Sequence, residues 1–136
     1  SNGFAMYRPS FKLEDGSTPT RILETHPMWV DNGKIFGRFP EYTVSAGDRL
    51  KVKIGFLAKT DGSCGVGNAK FQINYREDGS LHSLGEWHDT CNGNLKTINI
   101  DLSSLAGKTI RIVFVVLANG SSAQDWAVWV NPRIEP

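Results

Sequence analysis

Eight turn signals punctuate this chain at short intervals: Asp15-Gly16, Asn32-Gly33, Ala46-Gly47-Asp48, Asp61-Gly62, Asp78-Gly79, Asn92-Gly93, Ala106-Gly107 and Asn119-Gly120. Glycine reaches positive φ without steric cost and Asn and Asp tolerate it, so each of these pairs is a place where the chain can reverse. The segments between them are short and rich in β-branched and aromatic residues. That rhythm leaves no room for a long helix and predicts an all-β fold, an antiparallel β-sandwich. The best helical stretch, Ser103 to Ala106, is at most one turn. With 136 residues and no repeat or linker, residues 1–136 are read as a single domain. Ser1 and Asn2 are read as a cloning remnant and set aside.

Leu50, Val52, Ile54 and Phe56 alternate with Lys51, Lys53 and Gly55, and Phe71, Ile73 and Tyr75 alternate with Lys70, Gln72, Asn74 and Arg76. Successive side chains of a strand point to opposite faces, so both segments are predicted strands with one buried and one wet face. From Ile110 to Leu117 both parities are apolar, apart from Arg111, which predicts a central strand covered on both sides. The closing segment poses a parity question. Its even positions, Trp126, Val128 and Val130, are wholly apolar, and its odd positions, Asp125, Ala127, Trp129 and Asn131, are mixed. Parity therefore sends Trp126 to the core and Trp129 to the mixed face. Pro132 lacks an N–H and is expected where this strand frays or runs along an edge.

Asp78-Gly79 suits a two-residue type I′ turn, so its flanks are read as a hairpin. In an unbroken ladder around that turn, Ile73 faces Leu84 on the core side. On the other side Lys70 faces Trp87, Gln72 faces Gly85 and Asn74 faces Ser83. The same ladder sets Cys64 opposite Gly93, near Cys91, and a bulge among Gly62, Gly65 and Gly67 would bring the two cysteines together. A Cys64–Cys91 disulfide is the expectation, closing a loop of about 27 residues worth roughly 3 kcal/mol of chain entropy. Two unpaired buried thiols are the alternative. A disulfide implies an oxidising setting, extracellular or at a cell surface.

Several function classes drop out. Fifteen basic against fourteen acidic residues leave a net charge of +1 without a basic cluster, so nucleic acid is not an expected partner. The longest apolar run, Ile112 to Ala118, has strand length, well short of the ~18 residues that span a membrane as a helix. The N-terminal segment carries no signal-peptide core, and the expectation is a module excised from a longer protein or one whose signal has been removed. No Gly-x-Ser-x-Gly or His-Glu-x-x-His motif and no phosphate loop occurs, so no enzyme is expected. His82, Glu86 and His88 share a parity, but they lack the tighter His-x-His spacing of strand-borne metal ligands and are read as hydrogen-bonded structural residues. Asp31, Asp48, Asp61 and Asp125 lie in or beside turns and suit Asx-turns, with a structural calcium on the same oxygens as the alternative.

What remains is aromatic residues on polar faces. The ladder sets Trp87 beside Lys70, Gln72 and Asn74, and parity sets Trp129 beside Asp125 and Asn131. A flat ring flanked by amides and charges suits a sugar, because the ring covers the C–H face of a pyranose while planar polar groups take its hydroxyls. Trp87, Trp129, Lys70, Gln72, Asn74, Asp125 and Asn131 are therefore the candidate ligand-binding residues. Trp29, after Pro27 and Met28, is read as a strand-start anchor in the core.

Asp101, Leu102, Ser103, Leu105, Gly107 and Lys108 lead into the long apolar strand, and Asp125, Trp126, Trp129, Pro132, Arg133 and Ile134 mark the closing one. In these residues, a quarter of the chain, the sequence resembles galactose-binding-like jelly-roll modules, accessory domains of secreted bacterial glycoside hydrolases and surface proteins. The resemblance implies a jelly-roll sandwich, carbohydrate binding without catalysis, tethering to other domains of a parent chain, and a structural part for the Asp-Trp pair at 125–126. Such folds also serve as adhesins and spacers, so a structural or adhesive module that binds protein is the second expectation. A small hydrolase or lyase on the same fold would need a paired acid and base that the sequence does not offer.

Overall fold

The computed structural model of the chain describes residues 4–7, 13, 22–26, 34–56, 67–119 and 127–136, so Trp29, Asp31, Asp61, Cys64, Asp125 and Trp126 lie outside the described residues. Its strands are β1 (Phe4–Tyr7), β2 (Ile22–His26), β3 (Lys34–Arg38), β4 (Tyr42–Thr43), β5 (Arg49–Phe56), β6 (Asn68–Glu77), β7 (Ser80–Thr90), β8 (Lys96–Asp101), β9 (Thr109–Ala118) and β10 (Ala127–Glu135), with one 3-10 turn at Ser103–Leu105. They form two antiparallel sheets, β1-β2-β10-β5-β8 and β3-β9-β6-β7, and β4 also pairs with β9. The chain is a β-sandwich, as its turn rhythm requires.

The core lies between the sheets. Leu50, Val52, Ile54 and Phe56 of β5 meet Ala69, Phe71 and Ile73 of β6 and Ile110, Ile112, Phe114 and Val116 of β9 in one buried cluster. In β5 and β6 these are the parities that alternation assigned to the inside, whereas β9, expected to be covered on both sides, leaves Val115 and Leu117 only partly buried. Asp78 and Gly79 adopt φ of 49° and 81°, the two positive angles of a type I′ turn. Asp48 serves its turn: its Oδ2 accepts the Tyr42 hydroxyl at 2.5 Å and the Ser45 amide at 2.8 Å. Those bonds, the Tyr42 one foremost, hold its carboxyl below the usual range and push the Tyr42 phenol up. Asp101 likewise accepts the Ser103 amide at 2.9 Å and the Ser103 hydroxyl, so the Asp-Leu-Ser stretch is a turn device leading into the 3-10 turn.

The parity expected for the closing strand is corrected. β10 lies between β2 and β5, not at an edge, and Ala127, Val128, Trp129 and Val130 are all buried. Trp129, placed by sequence on the mixed outer face, is 0 % exposed and fills the space between the sheets. It stacks on Phe114 with centroids 4.0 Å apart and meets Phe71 edge-on at 5.2 Å. The even face is apolar for another reason: Val128 and Val130 form a second small cluster with Leu13 and the half-buried Leu95. Pro132 is accommodated by a register shift between Val130 and Arg133, where Asn131 takes a φ of 49°. Among the described residues no cysteine is free, and Cys91 packs against the core.

Candidate functional site

Alternation along β6 sends Ala69, Phe71 and Ile73 inward and leaves Asn68, Lys70, Gln72, Asn74 and Arg76 on the outer side of the second sheet. The expected ladder to β7 holds only near the turn, where Asn74 does face Ser83. Between Ile73 and Asn74 the register shifts, so that Ile73 pairs with Gly85 and Leu84 is the extra residue of a bulge. Leu84 still packs on the core, as expected. Every residue after it changes sides. Lys70 therefore faces His88, Gln72 faces Glu86, and Phe71 faces Trp87.

This corrects the placement of Trp87. It belongs to the inner row of β7, half-buried against the core, and does not share a face with Lys70, Gln72 and Asn74. Its indole lies over Gly85, where an added Cβ would come within 2.6 Å of the ring, so Gly85 is small because the ring occupies that space. The next inner residue, Asp89, is 3 % exposed, and its Oδ2 has no hydrogen-bond partner. Burial pushes its carboxyl up, opposed by Lys96, the Thr90 amide and His88. The bulge also separates the histidine trio, since His82 turns inward to stack on Tyr75 at 4.9 Å while Glu86 and His88 face out.

Among the described residues, the outer face that results has two open parts. Near the start of β6, Val115 and Leu117 of β9 form a half-exposed apolar strip beside planar polar groups. Gln72 donates through Nε2 to Glu86 Oε2 at 2.6 Å. His88 Nε2 lies 2.5 Å from Asn68 Oδ1, and Asn119 Nδ2 donates to the same oxygen at 3.2 Å. Lys70 stands exposed between these groups. In the middle of the face Asn74 is only 6 % exposed, between Ser83 and the buried Val113. At the far end Arg76 and Arg111 border a polar groove of about 440 Å³ beside the Asp78-Gly79 turn.

The other predicted residues lie elsewhere. Asn131 is exposed on the first sheet, where its carbonyl accepts Arg133 Nη1 at 3.1 Å. A second cavity, about 270 Å³ and mostly apolar, opens where Phe39, Tyr42 and Phe114 meet Pro132 and Arg133. Of the seven candidate ligand residues, the structure thus keeps Lys70, Gln72 and Asn74 on one face, moves Trp87 and Trp129 inside and sets Asn131 apart, and Asp125 lies outside the described residues. Sequence reading missed Glu86, His88, Asn68 and Asn119. The even-numbered polar row of β6 was its visible signal, but which β7 residues stand beside that row depends on the bulge.

No family model and no curated protein matches the sequence. Solved structures do match in fold. TmCBM61, solved in complex with β-1,4-galactotriose, is similar at a TM-score of 0.56 and 14% identity over 99% of this chain and 88% of that one. A structure concerning the promiscuous specificity of carbohydrate-binding modules from the β-sandwich superfamily is similar at a TM-score of 0.62 and 9% identity, covering 100% of this chain and 55% of that one. The glycoside hydrolase domain of Spr0440, Endo-D, from Streptococcus pneumoniae R6 is similar at 0.57 and 15% identity, over 97% of this chain and 21% of that one. The chain thus spans about half and about a fifth of the latter two. At such identities the likeness is one of fold, a β-sandwich shared with carbohydrate-binding modules.

Proposed function

We propose that the protein is a non-catalytic, extracellular carbohydrate-binding module, joined to other domains in its parent chain, and that an oligosaccharide lies along the outer face of the second sheet. One observation carries the reading: half-exposed Val115 and Leu117 adjoin planar hydrogen-bonding side chains of Gln72, Glu86, His88, Asn68 and Asn119 on a single face. Apolar side chains take the C–H surface of a pyranose, and amide, imidazole and carboxylate groups take its hydroxyls in their own planes. Lys70 adds a mobile donor at the rim. The galactotriose bound by TmCBM61 makes β-1,4-linked galactose the first probe. A binding rather than catalytic role suits the carboxylates of Asp48, Asp101 and Glu135, which side-chain hydrogen bonds, to Tyr42, Ser103 and Lys51 in turn, hold below the usual range as structural anchors. The Cys64–Cys91 disulfide belongs to the same extracellular reading.

Titration with β-1,4-galacto-oligosaccharides and a panel of plant, fungal and bacterial glycans tests this. Binding is expected, with Gln72→Ala and His88→Ala each weakening it about 5- to 50-fold, as for a lost hydrogen bond to a well-placed hydroxyl. Their melting temperatures should match the parent's. A protein that binds none of the panel, or variants that bind as well as the parent, would overturn the site.

A further inference from the structure

Arg76 of β6 stands directly opposite Arg111 of β9. Like charges in opposed positions of an antiparallel pair repel one another and lower stability. Neither guanidinium is tightly neutralised. Arg111 lies 3.9 Å from Glu41 and reaches the Phe39 carbonyl at 3.4 Å. Arg76 reaches the Gly79 carbonyl at 3.5 Å and, among the described residues, has no acidic partner within 4.0 Å. Charge-assisted bonds between a guanidinium and an anion close to about 2.7–2.9 Å, so both forks keep unused donors. These donors border the polar groove that Glu41, Asp78 and Thr109 also line.

We propose that Arg76 and Arg111 together bind the anionic group, carboxylate or sulfate, of an acidic saccharide. The inference rests on the reading that a glycan occupies this outer face. Four residues of β6 separate Gln72 from Arg76, about 13 Å at ~3.3 Å per residue, so an oligosaccharide on the open part of the face extends into the groove. Two guanidiniums on one anion relieve their mutual repulsion, and the planar fork matches carboxylate and sulfate oxygens in pairs. Glu41 and Asp78 at the groove accept sugar hydroxyls and disfavour densely charged polyanions. The net charge of +1 supplies no general attraction for such polymers, so the site fits an isolated anionic group.

The test is calorimetric titration with tri-galacturonate, a sulfated galacto-oligosaccharide and neutral β-1,4-galactotriose. One of the acidic probes is expected to bind more tightly than the neutral one and to lose affinity with added salt, and which one it is tells carboxylate from sulfate. Arg76→Gln and Arg111→Gln should each lower the acidic-to-neutral affinity ratio about 10-fold, as for a lost hydrogen bond to a charged group. The double variant should lose less than the product of the two, because both side chains act on one anion. The proposal is overturned if neither acidic probe outbinds galactotriose, or if the variants leave the ratio unchanged. In that case binding of galactotriose alone leaves the glycan reading intact, whereas a protein that binds none of the three or any other glycan ends both. Melting temperatures equal to or above the parent's, expected once the repulsion is removed, exclude a folding defect as the cause of lost affinity.

Discussion

Trp129 and Trp87 stand on strands of opposite sheets, and sequence placed both on polar outer faces. Both point inward, for different reasons. β10 is central and buried on its two sides, so its apolar even positions lie under Leu13 and Leu95 while the odd Trp129 fills the gap between the sheets. β7 closes the edge of its sheet, and there one extra residue, Leu84, reverses the parity of everything after it. The first case shows that alternation loses its meaning in a strand covered on both faces. The second shows that alternation survives but its phase does not, because a bulge moves a whole row of side chains at once.

The comparison can be broken most forcefully at Trp129. Trp129→Ala should cost about 3–5 kcal/mol, the loss typical of a fully buried large aromatic, read from denaturant unfolding. A variant with near-parental stability would return Trp129 to the outer face. Trp87→Ala, half-buried at an edge, should cost roughly half as much, ~1.5–2.5 kcal/mol. Once folded it should bind glycans as the parent does. A parent-like melt combined with lost binding would instead put the indole beside Lys70 and Gln72.

The smallest effect tests the bulge through Asp89, the next residue of the inner row. Its folded-state carboxyl is raised, chiefly by burial, so it favours the native state when protonated and opposes it as pH rises through that raised value. Asp89→Asn should therefore melt above the parent at pH 7, and the gap should close below the ordinary carboxylate value of 3.8. Asp48, Asp101 and Glu135 are shifted the other way, stabilise the fold above the ordinary carboxylate range and lose that contribution on acidification in both proteins, so they cancel from the difference. A gap that is constant with pH would mean that Asp89 is not the buried member of that row.

How much of this was legible beforehand depended on the range of the interactions involved. The Asp78-Gly79 turn, the Asp48 turn and the inward rows of β5 and β6 were readable because each depends on residues within a few positions of one another. The polar row of β6 was readable too, and with it Lys70, Gln72 and Asn74. Its partners were not: Glu86 and His88 reach that face only through the bulge, and Asn119 and Arg111 only through the pairing of β6 with β9.

Local chemistry in the sequence by itself determined a sandwich of short antiparallel strands, where the chain turns at Asp48 and Asp78-Gly79, and which sides of β5 and β6 are wet. Backbone sterics at glycine and aspartate and the two-residue period of a strand act within a few residues, so no knowledge of the rest of the fold is needed. Tertiary structure alone decided that Trp129 fills the core, that Trp87 lies on Gly85, and that two arginines 35 positions apart in sequence meet across a groove. Each of these depends on what packs against a strand from elsewhere in the chain, and that volume is shared out only when the two sheets close.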